Sequence, residues 1–188
     1  MTLNLVEKKF LITGAGRGIG REIAKTLHQQ GSKVYALSRS IEPLKSLVSE
    51  NPGIQPIHAD VGKWETLFNK LEGIDVLGGL ANNAAQTGIP PIGALDYPRE
   101  ELQSLIDSQV LGLINATQIV AKKMVAAGKP GSIVNVSSIW SKQAVPGQMA
   151  YTITKAAVDM ITKQFALELG PHNIRVNAVN PKLIVRNK

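Results

Sequence analysis

Along the chain, short apolar runs alternate with longer amphipathic ones. Lys9 to Thr13, Lys33 to Arg39, Ile54 to Ala59, Val76 to Ala81, Ser132 to Ser137 and Arg175 to Val179 predict six strands. Ile19 to Gln30 puts Ile19, Ile23, Ala24 and Leu27 on one helical face, and Gly31 stops it. Ile41 to Ser49 follows as a helix with Pro43 tolerated in its first turn. Val61 to Leu71, Glu100 to Ala127 and Ala150 to Leu169 supply three more, the last two long and each read as one uninterrupted helix. Strands alternating with helices predict a parallel sheet covered on both faces. Right-handed crossovers make it an α/β, doubly wound parallel sheet. Thr87 to Pro98, rich in Gly and Pro, reads as a loop inside this sheet and not as a linker. The expectation is one domain spanning residues 1–188.

Composition narrows the chemistry. Hydrophobic residues make up 44% and charged residues 19%, a soluble globular balance. No run approaches the roughly 18 apolar residues of a membrane span, and Met1 to Phe10 has no signal-peptide pattern. A cytoplasmic protein without a transmembrane segment is expected. The absence of cysteine excludes disulfides, thiol catalysis and thiolate metal sites. His28, His58 and His172 lie in no ligand motif, so no metal site is expected. The net charge of +7 is spread without a basic run of five or more and with few aromatics beside it. That argues against nucleic acid and leaves a phosphorylated small ligand as the partner of one or two cations.

Such a ligand has a candidate cradle. Thr13-Gly14-Ala15-Gly16-Arg17-Gly18-Ile19-Gly20 links the first strand to the first helix. Glycines there let the backbone approach a pyrophosphate, and the helix N-terminus faces its charge. Gly14 makes the turn, Gly18 allows the approach and Gly20 lets the helix pack on the strand. NAD enzymes commonly carry an acid at the end of the second strand for the ribose hydroxyls. Here Ala36-Leu37-Ser38-Arg39-Ser40 has none. Arg39, with Arg17 as a second cation, suits a 2′-phosphate, so NADP(H) is expected.

A catalytic set follows the fifth strand. Ser138 comes directly after it, Tyr151 opens the next long helix, and Lys155 lies one turn on, on the same face. A lysine cation there is expected to lower the tyrosine pKa and make it a usable general acid toward a carbonyl. The Ser138 hydroxyl can hydrogen-bond the same oxygen.

With the glycine loop, these residues resemble the short-chain dehydrogenase/reductase family, a Rossmann fold. The match takes in Asp60-Val61, Asn82-Asn83-Ala84-Ala85, Asn135-Val136-Ser137-Ser138, Tyr151-Thr152-Ile153-Thr154-Lys155 and Arg175-Val176-Asn177-Ala178-Val179-Asn180-Pro181. Ser38-Arg39, Pro52-Gly53-Ile54 and the run from Ala166 to Pro181 are similar to the branch that reduces L-xylulose and α-dicarbonyls. The resemblance implies an NADPH-dependent carbonyl reductase of carbohydrate metabolism, commonly a homotetramer. Tyr151 is then the proton donor, Lys155 holds the nicotinamide ribose and Ser138 positions the carbonyl. Asp60 and Val61 flank the adenine, while Asn83 and Ala84 lie along the adenosine side. The two long helices are the expected subunit contact.

Three departures from the family pattern stand out. Gln109 occupies the position of an asparagine that serves the proton relay. Lys182-Leu183-Ile184-Val185-Arg186 replaces the segment that holds the carboxamide, with Ile184 still offering its backbone and Arg186 where a threonine falls. Lys188 ends the sequence where the family continues into a lid, a helix and a seventh strand, so a C-terminally incomplete domain is expected. These departures support a rival reading, a catalytically weak protein that binds nucleotide or partner subunits.

Overall fold

Each apolar run becomes a strand because its side chains alternate between two helical layers. The computed structural model describes residues 5–86 and 90–182. Its strands are β1 (Lys9–Thr13), β2 (Lys33–Ser38), β3 (Gln55–His58), β4 (Gly79–Asn82), β5 (Gly131–Val136) and β6 (Ile174–Val179). They form one sheet in the order β3-β2-β1-β4-β5-β6, parallel throughout. The chain winds outward from β1 to β3, then returns to β4 on the other side of β1. Crossovers therefore diverge between β1 and β4, and the carboxyl ends of these strands border the crevice where such sheets bind ligands.

The helices are α1 (Gly18–Gln29), α2 (Ile41–Glu50), α3 (Trp64–Glu72), α4 (Arg99–Ile106), α5 (Gly112–Ala126) and α6 (Met149–Leu169). Period-two alternation divides the core between them. Ile12, Val34 and Ala36 point to one side, where Ala24 of α1 and Leu44 and Leu47 of α2 cover them. Leu11, Leu37, Leu80 and Ile133 point to the other, under Leu67 and Leu71 of α3 and Ala116, Val120 and Met124 of α5. Lys123 of α5 donates to the carbonyls of Leu71, Glu72 and Ile74 at 2.8, 2.6 and 2.6 Å, which places a cation on the C-terminal end of α3.

The uninterrupted helix expected over Glu100 to Ala127 is corrected. Asp107–Leu111 forms a π-helical turn between α4 and α5. Ser108 contributes to it by donating to the Ser104 carbonyl at 2.9 Å, a side-chain bond that competes with the helical ladder. The wider turn buries two polar residues, Ser108 at the wall of the crevice and Gln109 behind it. Just beyond, Gly112 packs against the loop after β3, where a Cβ would lie 2.7 Å from the Val61 carbonyl oxygen. No helix among the described residues is long and apolar enough to cross a membrane.

Candidate active site

The crevice is a cleft of about 1490 Å³ at the carboxyl ends of the strands. Its floor is the loop between β1 and α1. Gly14 has φ +68° and Gly18 φ +58°, backbone conformations that favour glycine. A Cβ on Gly14 would lie 2.7 Å from the Ala84 Cα. One on Gly16 would lie 3.0 Å from the Ser38 Oγ. Arg17 precedes α1 and makes no side-chain cap, so the first N–H groups of that helix have no such partner. A backbone cradle facing a helix N-terminus fits a pyrophosphate.

Thr13 locks this cradle to the other side of the crevice. Its Oγ1 accepts from the Asn83 and Ala84 N–H groups at 3.0 and 3.1 Å. The Asn83 side chain donates to the Thr13 and Gly14 carbonyls at 3.1 and 3.2 Å. Asn83 and Ala84 thus line the cleft and also brace the loop that forms its floor.

At the far end, Ser38, Arg39, Asp60, Val61, Arg17 and Ile19 line the cleft. Arg17 and Arg39 are exposed, and neither guanidinium group has a hydrogen bond or ion pair among the described residues. The Ser38 Oγ accepts from the Ser40 N–H at 3.2 Å, and the Asp60 Oδ1 accepts from the Gly62 N–H at 2.9 Å. These bonds fix the loops after β2 and β3 on either side of this part of the cleft.

Ser138, Tyr151 and Lys155 meet at the opposite end of the same cleft. Ser138 follows β5 and caps the short 3₁₀ turn Ile139–Ser141. Its Oγ accepts from the Trp140 N–H at 3.2 Å, and its hydroxyl also hydrogen-bonds Tyr151. Tyr151 stands in the first turn of α6, with the Trp140 ring edge-on at 5.8 Å. Lys155 is 4% exposed and donates to the Val136 carbonyl at 2.8 Å. Its ammonium lies 5.6 Å from the Tyr151 ring centre.

The electrostatics correct one expectation. Burial raises the Tyr151 pKa, opposed by the hydrogen bond with Ser138, so the expected lowering by lysine does not dominate. The phenol therefore stays protonated near neutral pH, the form a proton donor needs. Burial lowers Lys155 to about 8 against the pull of Asp159, which leaves the ammonium largely charged there.

Gln109 does not line the cleft itself. It lies behind it, 1% exposed, with its Nε2 3.5 Å from the Gln86 carbonyl oxygen. Its Oε1 and the Asn82 Oδ1 are buried without partners among the described residues. Gln109, Asn82 and Lys155 all line one small void of about 10 Å³. Ile184 and Arg186 lie outside the described residues. Sequence reading named Thr13 only as the start of the glycine loop, and it missed Trp140 and the polar ladder beneath the site. In that ladder Asn82 donates to Thr117 and Asn135 at 2.9 and 3.0 Å, and Asn135 donates to Thr162 at 2.9 Å. The available signal was polar residues at strand positions that should be apolar.

A family model described as short chain dehydrogenase matches residues 8–186. The human protein named L-xylulose reductase is 44% identical over 98% of this chain and 75% of its own length. Pig "Carbonyl reductase [NADPH] 2" is 43% identical over the same shares. Among solved structures, an NAD⁺-bound xylitol dehydrogenase superposes with a TM-score of 0.89 at 28% identity, covering 98% of this chain and 74% of that one.

Proposed function

Because the chain belongs to the short-chain dehydrogenase family of oxidoreductases, we propose that it is an NADPH-dependent carbonyl reductase acting on a sugar ketone or an α-dicarbonyl. The observation that carries this is the convergence of a protonated phenol, a serine hydroxyl and a buried ammonium at one end of a glycine-floored cleft. When bound, the nicotinamide supplies a hydride to the carbonyl carbon. Tyr151 gives its phenolic proton to the carbonyl oxygen, and the Ser138 hydroxyl hydrogen-bonds that oxygen as charge develops on it. Lys155 has three N–H donors and spends one on Val136, so two remain for the ribose hydroxyls. Its charge also favours the tyrosinate left after proton transfer.

The preference for NADPH rests on Arg17 and Arg39 at the adenosine end and on the absence of an acid closing β2. The pig relative carries NADPH in its name, whereas the xylitol dehydrogenase was solved with NAD⁺. Polyhydroxylated substrates suit the amide side chains of Gln86, Gln143 and Gln148, which line the cleft. Ile153, Met160 and Leu167 are exposed at seven-residue intervals along α6. They support a homo-oligomer packed through the long helices.

A second reading, nucleotide binding with weak turnover, is favoured by the Oε1 of Gln109, which has no partner among the described residues and shares a small void with Lys155. NADPH oxidation by the purified chain with L-xylulose and with diacetyl separates the two. Turnover with either carbonyl supports the reductase. NADPH binding without turnover supports the second reading.

A further inference from the structure

Resting on the reductase reading, we infer that Asp159 is a positioning residue for Ser138, acting through Ser141 and Asn180. The 3₁₀ turn that Ser138 caps has three residues, Ile139–Ser141, and only Ser137 and Ser138 separate it from the end of β5. Such a turn does not hold its own place; it depends on what it is tied to. Ser141, at its end, donates from Oγ to the Asp159 Oδ2 at 2.6 Å. Asn180, just after β6, brings its Nδ2 to 3.0 Å from the Ser138 carbonyl oxygen and 3.0 Å from the Ser141 Oγ. The same nitrogen lies 3.1 and 3.3 Å from the two Asp159 carboxylate oxygens. Lys142 completes the cluster with an ion pair to Asp159 Oδ2 at 2.5 Å.

Three separate segments, the turn, α6 and the end of β6, therefore converge on one carboxylate. Asp159 is 9% exposed. Burial alone would raise its pKa, yet its donors, Lys142 and Ser141 foremost, hold it down at about 2. A buried charge is costly, and a hydrophobic contact would fasten a loop as well. What the carboxylate adds is direction: it fixes the orientation of Ser141 and Asn180, and through them the backbone at Ser138. Asp159 also stands one helical turn beyond Lys155 and two beyond Tyr151, so α6 fixes it relative to both. There it opposes the burial that lowers the Lys155 ammonium. One residue thereby sets the distance between the Ser138 hydroxyl and the two side chains of α6.

The test uses the whole 188-residue chain in a Trp64→Phe background, which leaves Trp140 as its one tryptophan. Trp140 lies in the turn itself and packs on Tyr151, so its emission reports where the turn sits. Asp159→Asn keeps the size and one acceptor while removing the charge. It is expected to lower kcat roughly a hundredfold, the cost of a small misplacement of a reacting group. Acrylamide quenching of Trp140 rises, and the Kd for NADPH changes by less than about twofold because the glycine cradle lies elsewhere. Asn180→Ala removes the tether by another route and serves if Asp159→Asn does not fold. The double variant is expected to equal the worse single one, since both act through one cluster.

Unchanged kcat and quenching in both single variants would overturn the inference. So would a loss of kcat that merely follows a loss of NADPH affinity. If the parent chain binds NADPH but turns over neither carbonyl, the reductase reading fails by itself. The quenching of Trp140 then decides the positioning role: a rise supports it and no change refutes it.

Discussion

Lys155 carries its charge in a place that resists it, and this makes folding depend on pH in a calculable way. At 4% exposure its pKa falls from 10.5 to about 8, with desolvation as the main cause. In the unfolded chain the side chain returns to its ordinary value. Below the folded pKa it is charged in both states, and the folded state bears the whole cost of burying it. Between the two values the folded state has released its proton while the unfolded state keeps it. The unfolded state then binds more protons, so stability rises with pH across that window. The distance from 10.5 to about 8, at about 1.4 kcal/mol per pH unit, amounts to about 3 kcal/mol. Lys155→Met removes this titration and leaves the others in place. Urea unfolding of both proteins, followed by circular dichroism from neutral pH to the ordinary lysine range, measures the effect. The parent should gain about 3 kcal/mol on the variant as pH rises through that window. A gap that moves by less than about 1 kcal/mol, or in favour of the variant, would refute the burial argument.

Three further outcomes follow from the site. Arg39→Asp should weaken NADPH binding roughly tenfold to a hundredfold by removing a charge-assisted bond and adding repulsion, with NADH affected far less; fluorescence titration of both cofactors checks this. Gly20→Ala should cost about 1 to 3 kcal/mol and weaken NADPH binding. A Cβ there meets Asn83 and lies 2.5 Å from the Gly14 carbonyl oxygen, so a thermal melt with and without NADPH reads both effects. Gln109→Met should raise stability by about 1 kcal/mol in urea unfolding, because a buried oxygen without a partner is replaced by an apolar group of similar length.

Much of this was legible in the sequence because the relevant signals are local. Six apolar runs became six strands, and the glycine loop, Tyr151 and Lys155 fell where their spacing put them. The π turn at Asp107–Leu111 was hidden because one widened turn leaves the apolar periodicity of its flanks nearly intact. The direction of the Tyr151 shift was misread because it depends on burial, which residues distant in sequence create around the phenol. Asp159 and Asn180 are 21 positions apart and read as ordinary polar residues. Only the return of β6 beside α6 brings them together. Gln109 was singled out by the family resemblance, but its place behind the cleft required the packed helix.

The central claim is that Tyr151 gives a proton to a carbonyl oxygen while the cleft holds NADPH. Its most direct measurement compares the parent chain with Tyr151→Phe, both for carbonyl-dependent NADPH oxidation and for NADPH affinity. The account predicts turnover in the parent, a loss of at least about a hundredfold in the variant, and a Kd for NADPH changed by less than about twofold. Equal turnover in the two proteins would contradict it.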